Sequence, residues 1–536
     1  MTDGIDITMQ TLAQSKNGAA PKMLEKALRS SFYAVRHGAG KGLVALRGGK
    51  GICEIIRQYI PNDALTIEII EENRDKFIPA LKNAIQDSDA ELSQNALNIA
   101  YARRFYELIP FLMTIFMDQS KEESKLNELE RIIGKLQEKF TDALEERKNR
   151  RFLYGTVLPE IFNVITKALN DYHKNDPDLI LLMLFRLFPY LTEEHSHLAG
   201  VLRNPAGKAY GTVYHLFLMK QDPAVYNLIF YLLNNANPPM LAATAFAKRS
   251  DIPFVSGFLK LLTEPVSEEL KTNFASISKP DWLNHLPEVL PELDEQTQQG
   301  LVLLLGVLNT ATAEITDGLQ TVFHLGTGTG RTAALSALSH YAGERIDKLI
   351  WEACGDSAPK VQMEALRLLP QRNVPNVNVR LLQFAGNPNG EVRATVLELL
   401  PNFRFSKFAE GFDQMSEDQR RIMFKLVRAM DSETLDGLTE MLTTGDAAAK
   451  NKALQCVRYG NLTAVLEDAV CAVLTAGESP ALRKEAAELL TGGQREASRN
   501  ALVQAMHRDP DADVRAAAKM CLEKRPVVWK TVDTVS

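Results

Sequence analysis

The chain has 536 residues, 24% of them charged, with a formal net charge of −6. That length holds several ordinary domains or one elongated array, and charges of both signs interspersed exclude a molecule built as a whole to grip nucleic acid or an anionic membrane. Five cysteines stand singly with no CxxC pair, which fits a reduced, cytoplasmic compartment, and the N-terminus lacks the basic-then-apolar pattern of a secretory signal.

Residues 1–62 form a basic, glycine-rich segment. Residues 1–60 carry nine Lys and Arg against four Asp and Glu, a local net of +5 that leaves −11 for the remainder. A first helix is expected from Lys22 to Val35, followed by HGAGKG at 37–42 and RGGKG at 47–51. Both glycine clusters are expected to be loops between helices. Gly48, Gly49, Lys50 and Gly51 resemble the backbone-clamping GxxG loop of KH domains, which makes Lys41, Arg47 and Lys50 the alternative phosphate contacts. The match departs from the KH pattern, because Ile52 and Ile55 are out of register and no three-stranded pattern surrounds them.

Residues 63–262 alternate helical periods with short breaks. Within them, 121–151 is rich in long charged residues and free of proline. Its Leu126, Leu129, Ile133, Leu136, Phe140 and Ala143 make a heptad-spaced stripe. The expectation is a long helix that lays this stripe on neighbouring helices, with a self-associating coiled coil as the alternative. The apolar stretches from 152 to 262, such as LILLMLF at 179–185, stop short of a membrane span and are expected to be helices buried on several sides. Residues 263–295, punctuated by Pro265, Pro280, Pro287 and Pro291, form a Pro-rich connector and the candidate boundary. Residues 296–525 are regular helical repeats, and 526–536 form an extended tail in which Val527, Val528 and Trp529 are expected to cover the last repeat.

The repeat is clearest from Asp356 to Leu400, where DSAPKVQMEALRLL and NPNGEVRATVLELL share one frame. Val361, Ala365 and Leu369 in the first copy correspond to Val392, Val396 and Leu400 in the second, a spacing that places each set on one face of a helix. The frame returns at Leu482, Ala486 and Leu490, at Val514, Ala518 and Leu522, and near the other end at Leu92, Ala96 and Ala100. Further units are expected near 422 and 449. Small residues at the contact position let helices approach closely, as a stacked array requires. On these residues the chain resembles HEAT-repeat proteins, and the resemblance implies an all-α fold, an armadillo-type α-solenoid of stacked helix pairs. It also implies a structural role for the recurrent arginines Arg393, Arg483 and Arg515: in HEAT repeats an Asp near the turn and an Arg at this place form an intramolecular ladder. Asp509 with Arg515 and Asn387 with Arg393 fit that pattern, whereas Gln362 and Ser93 depart from it and are expected to interrupt the ladder.

No constellation assigns a catalytic nucleophile or base, and no catalytic residue, cofactor or metal is expected. LGTGTGRT at 325–332 departs from a phosphate loop in spacing, in Arg for Lys and in the absence of a preceding strand, so it is expected to be an inter-helix turn. Glu193, Glu194, His195 and His197 could ligate a metal, and a solvated loop is the plainer reading. The expected function is a non-catalytic scaffold that binds another protein. Nucleic-acid backbone binding through the basic segment, or a HEAT-like lyase, are the alternatives. The expected binding surface is the face of the second helices opposite the buried one: Met363, Arg367, Ala394, Glu398, Lys484, Glu488, Ala516 and Met520. In HEAT proteins this helix usually lines the concave surface.

Overall fold

The structure, a computed structural model, describes residues 2–46, 49–118, 122–146, 150–174, 176–277, 279–372 and 374–524. The C-terminal tail therefore lies outside the described residues. Among those residues every regular element is helical, and the chain divides into two compact units, one running from the N-terminus to Glu292 with Val307–Thr310, the other made of Leu293–Gly306 and everything from Ala311 onward. Each unit is a stack of antiparallel helix pairs, so the fold is an all-α, HEAT-like solenoid.

In the first unit the second helices of successive pairs pack side by side: Lys50–Arg57, Ala90–Ala102, Glu123–Glu145, Leu179–Leu187, Pro223–Leu233 and Ile252–Leu259. Leu92, Ala96 and Ala100 are buried as the repeat frame requires. The heptad stripe of the charged stretch lies on the helix Glu123–Glu145, with Leu129, Ile133, Leu136 and Phe140 sealed in the core of this unit. The stripe is thus spent on intramolecular packing and leaves nothing for a coiled coil.

The first glycine cluster is not a loop. Gly38, Gly40 and Gly42 lie buried inside the helix Tyr33–Ala45. A Cβ on Gly40 would meet Ile69 Cδ1 at 2.2 Å, and one on Gly42 would press on Leu24 and the Met9 carbonyl. Glycine serves here for close helix approach rather than for freedom of the backbone. Gly49 does use that freedom: at φ 73° it opens the helix Lys50–Arg57.

In the second unit the stacked second helices are Gly328–Leu338, Pro359–Leu368, Gly390–Leu399, Glu417–Met430, Ala447–Gly460, Pro480–Leu489 and Ala512–Lys524. Ala365, Val396, Ala453, Ala486 and Ala518 are completely buried at the contacts. The unit expected near 422 departs from the frame. Its helix makes contact through Phe424 and Val427, and Ile422 stands exposed. A ring replaces the small residue there, and the register shifts to seat it.

Candidate protein-binding surface

The expected surface rests on how the second helices are fixed at their starts. Asp356, Asn387 and Asp509 each accept a hydrogen bond from the backbone N–H two residues on, at 2.7, 2.9 and 2.9 Å. These Asx turns lead into the helix with its first N–H groups already oriented. The arginine six residues after Asn387 or Asp509 then folds back onto the turn: Arg393 Nη1 donates to the Asn387 carbonyl at 2.6 Å, and Arg515 Nη1 to the Asp509 carbonyl at 2.7 Å.

The carboxylate partner comes from elsewhere. Asp509 is held by Arg483 of the preceding repeat, in two parallel bonds of 2.7 and 3.0 Å, and Asp356 by Arg331 at 3.0 and 2.8 Å. The ladder therefore joins neighbouring repeats, and Arg515 does not pair with the Asp509 side chain. Gln362 does not interrupt it either. Its Nε2 donates to the Asp356 carbonyl at 2.7 Å and its Oε1 accepts from Asn387 at 3.3 Å, a neutral rung in place of a charged one. In the first unit Ser93 does leave the pattern, donating to the Ile85 carbonyl, while Arg57 reaches Asp89 at 3.2 Å.

The Arg483 guanidinium holds the Asp509 carboxyl below the usual carboxylate range, against the opposing effect of burial. Two bonds to a planar guanidinium favour the ionised form more than this degree of desolvation disfavours it.

Of the expected surface residues, Arg367, Ala394, Glu398, Glu488, Ala516 and Met520 are exposed, and Met363 and Lys484 are half-buried. They are linked along the stack. Arg367 lies 3.7 Å from Glu398 one repeat on, and Lys484 lies 3.9 Å from Asp513. Glu488 sits 3.5 Å from Arg458, which also reaches Glu485 at 3.3 Å. Burial pushes the Glu485 carboxyl up, and Glu488 adds to that shift while Arg458 opposes it.

Arg458, Glu485 and Asp513 were missed at the sequence level. So was Arg421, whose guanidinium lies 5.9 Å from the Tyr459 ring. Glu485 and Asp513 lie in the aligned frames around 482 and 514 but at other helical offsets than the row, and Arg421 and Arg458 lie on helices outside the four frames used for the alignment. Below the row a cavity of about 320 Å³ opens among Arg458, Asn461, Thr463, Glu488 and Thr491.

The alternative phosphate contacts are not assembled into a loop. Lys41 is exposed on the helix Tyr33–Ala45, Lys50 is the first residue of the next helix, and Arg47 lies outside the described residues. The glycine run at 325–332 starts the helix Gly328–Leu338, with Thr327 as its cap. Buried Gln298 closes the approach to this end, accepting from Thr327 N at 2.8 Å. A Cβ on Gly330 would collide with the Gln298 amide at 2.1 Å, so this glycine admits a side chain of the same chain.

His195 and His197 do not form a metal site. His195 is buried, with Nδ1 2.9 Å from Thr192 Oγ1, and His197 Nε2 lies 3.1 Å from Thr166 Oγ1. Among the described residues no group of three or more His, Cys, Asp or Glu is arranged to hold a metal. Burial raises the Cys354 and Cys456 thiols to about 12, which keeps them protonated and inert. Also among the described residues, no helix is long and apolar enough to cross a membrane.

No family model matches the chain, and no curated protein matches it. Solved structures do. The crystal structure of Kap121p is 14% identical over 98% of this chain, with a TM-score of 0.34, and Kap121p bound to Nup53p is 14% identical over 98%, with a TM-score of 0.31. UNC-45 from Drosophila melanogaster is 16% identical over 97% of this chain and 81% of its own, with a TM-score of 0.25. The chain spans 57% and 53% of the two Kap121p chains, little over half their length.

Proposed function

We propose that this chain is a non-catalytic scaffold of the cytoplasm that binds another protein along the exposed face of its second helices. The observation that carries this reading is the row itself. Side chains from successive repeats meet across the stack as ion pairs at or near the surface, Arg367 with Glu398 and half-buried Lys484 with Asp513, and the second helices also expose Ile422 and Met520. Such pairs contribute little to stability, about 0–1 kcal/mol each, so their charges are free to be re-paired by an incoming surface. Methionine adds an adaptable apolar contact. The groups with chemical potential elsewhere are already engaged: Arg331 by Asp356, Gln298 by Thr327, His195 by Thr192.

The test is co-purification from the source organism with the wild type, with Ile422→Glu combined with Met520→Glu, and with a control substitution on a first helix, Lys348→Glu. A protein retained by the wild type and the control but lost from the double variant supports the reading. Equal retention by all three moves the binding surface off this face.

A further inference from the structure

We propose that the N-terminal segment docks on an anionic lipid surface through Lys22, Met23, Lys26 and Phe32. The proposal stands apart from the protein-binding face, which lies in the other unit. Three observations converge on it. The first sixty residues hold a net +5 while the rest of the chain is at −11. Among the described residues Lys16, Lys22, Lys26, Lys41 and Lys50 are exposed, and none has an ion-pair partner. Fifteen large hydrophobic side chains stand exposed in the described structure, and five of them, Ile7, Met23, Phe32, Tyr33 and Ile60, fall in this short segment. Unpaired positive charge and exposed apolar surface thus concentrate in the same ninth of the chain, although water favours neither burial of the one nor exposure of the other.

They lie on two consecutive helices that pack against each other. The helix Ala20–Ala27 buries Ala20 and Leu24. Lys22, Met23 and Lys26 occupy the opposite face, Met23 at 57% exposure. Phe32, at 72% exposure, caps the start of the helix Tyr33–Ala45, which carries Lys41 further along. That helix is clamped by its buried glycines against Ile69 and Leu24, so the platform is rigid. Of the nearby carboxylates, Glu72 stands exposed close to Tyr33. Glu54 pairs with Arg57, and Glu68 accepts from the Tyr33 hydroxyl at 2.8 Å, which ties Tyr33 to the protein and leaves Phe32 as the free ring. Glu25 is half-buried at the side of the lysine face.

Lysine ammonium groups at anionic headgroups, with Met23 and Phe32 entering the acyl boundary between them, satisfy both kinds of side chain at once. A nucleic-acid strand would pair with the lysines and stack on Phe32, but it offers nothing to aliphatic Met23, Ile7 and Ile60. Lipid is therefore the favoured occupant.

Sedimentation of the full chain with phosphatidylcholine vesicles, with and without phosphatidylserine, tests this directly. Binding is expected only with phosphatidylserine and should weaken as salt is raised. Lys22→Gln with Lys26→Gln should lower the vesicle affinity about thirtyfold. Met23→Ser with Phe32→Ser should lower it by a similar factor, and at high salt as well, while the melting curves of both variants stay at the wild-type position. Failure of the wild type to bind, or equal binding by well-folded variants, overturns the proposal. So does a single-stranded oligonucleotide that binds in place of vesicles and is indifferent to Met23→Ser with Phe32→Ser. A dimer seen by light scattering without lipid and dispersed by Phe32→Ser would assign the patch to a second copy of the chain, and would equally overturn it.

Discussion

Residues 179–274 of the first unit and residues 359–522 of the second stack helix pairs in the same way but lean on different side chains at most contacts, with the cluster of Phe405, Phe408, Phe412 and Phe424 as the exception in the latter. In the former, rings do the packing. Phe185 meets Phe217 edge-on at 5.3 Å, Phe246 lies 4.9 Å from both Phe258 and Phe274, and the Arg249 guanidinium covers Phe254 at 4.5 Å. In the latter, Ala365, Val396, Ala453, Ala486 and Ala518 let backbones approach, and the arginine ladder stitches the helix starts. Small contacts tolerate one helix spacing, so they recur in the sequence at one period. Rings can tilt to fill spaces of different shape, and the period dissolves.

The largest effect that would break this comparison is at a small contact. Ala365→Glu buries a charge where no partner stands, and a loss on the order of 5 kcal/mol, or of soluble expression, is expected. A thermal melt of Ala365→Glu matching the wild type would show that the small-residue contact does not hold the second unit together. Next comes the aromatic region. Phe258→Ala empties a ring-sized space among Phe246, Phe254 and Phe274, and a cost of about 3–5 kcal/mol is expected. Chemical denaturation followed by near-ultraviolet circular dichroism, which reports the packed rings, measures it. A cost below about 1 kcal/mol would mean that the rings repack freely and contribute no specificity.

The contrast also decides how much was legible in the sequence. The second unit could be aligned from Val361, Val392, Leu482 and Val514 because the frame is enforced by backbone approach, and those four residues are buried. Only Glu417–Met430 escaped, because Phe424 carries its contact. The candidate surface followed from the same frame by rotation about the helix, which explains why six of its eight residues are exposed and why Arg421, Arg458 and Asp513, which stand at other helical offsets, were overlooked.

Tertiary partners were not legible. Buried Glu467 accepts from the Arg495 N–H at 2.9 Å at the start of the next repeat's helix, whereas buried Asp431 accepts from Phe405 N at 2.7 Å at the start of the preceding repeat's helix. Neither position differs in composition from a solvent-facing acid. The glycines at 37–42 misled for a related reason: composition alone does not distinguish a helix packed against Ile69 from a loop, and the distinction lies in the neighbour.

A smaller effect sharpens the role of the ladder. Arg483→Gln leaves the Asp509 carboxylate, with only 6% of its side chain exposed, without its ionic partner, and a cost of about 1–3 kcal/mol is expected at neutral pH. The folded-state pKa of Asp509 is depressed, so the pair contributes fully above the unfolded value of about 3.9 and loses its contribution as pH falls through the lower folded value. The difference between wild type and Arg483→Gln should therefore be constant from neutral pH down to about pH 5 and shrink below about pH 4. A difference that persists undiminished in acid would assign the arginine's effect to its bond with the Gly477 carbonyl, at 2.8 Å, rather than to the carboxylate.

The smallest effect on stability is expected where the proposed function is most exposed. Arg367 and Glu398 retain 48% and 60% of their side-chain exposure and face each other at 3.7 Å, a distance at which the pair is weak and screened by solvent. Exchanging them, Arg367→Glu with Glu398→Lys, restores an opposite-charge pair with its direction reversed, so the melting curve should move by no more than the equivalent of about 0.5 kcal/mol. Arg367→Glu alone should be tolerated too, within about 1 kcal/mol, since the two acids can turn apart into water. What changes in the exchange is the order of signs along the stack that a partner would meet. A protein matched to the native order should be lost from co-purification with the exchanged chain, since like charges set against each other at an interface are strongly unfavourable. If a partner found with the wild type is retained in full by the exchanged chain, this pair is not part of the contact. The binding face would then shift along the second helices toward Arg458 and Glu488, whose exposed charges border the cavity of about 320 Å³.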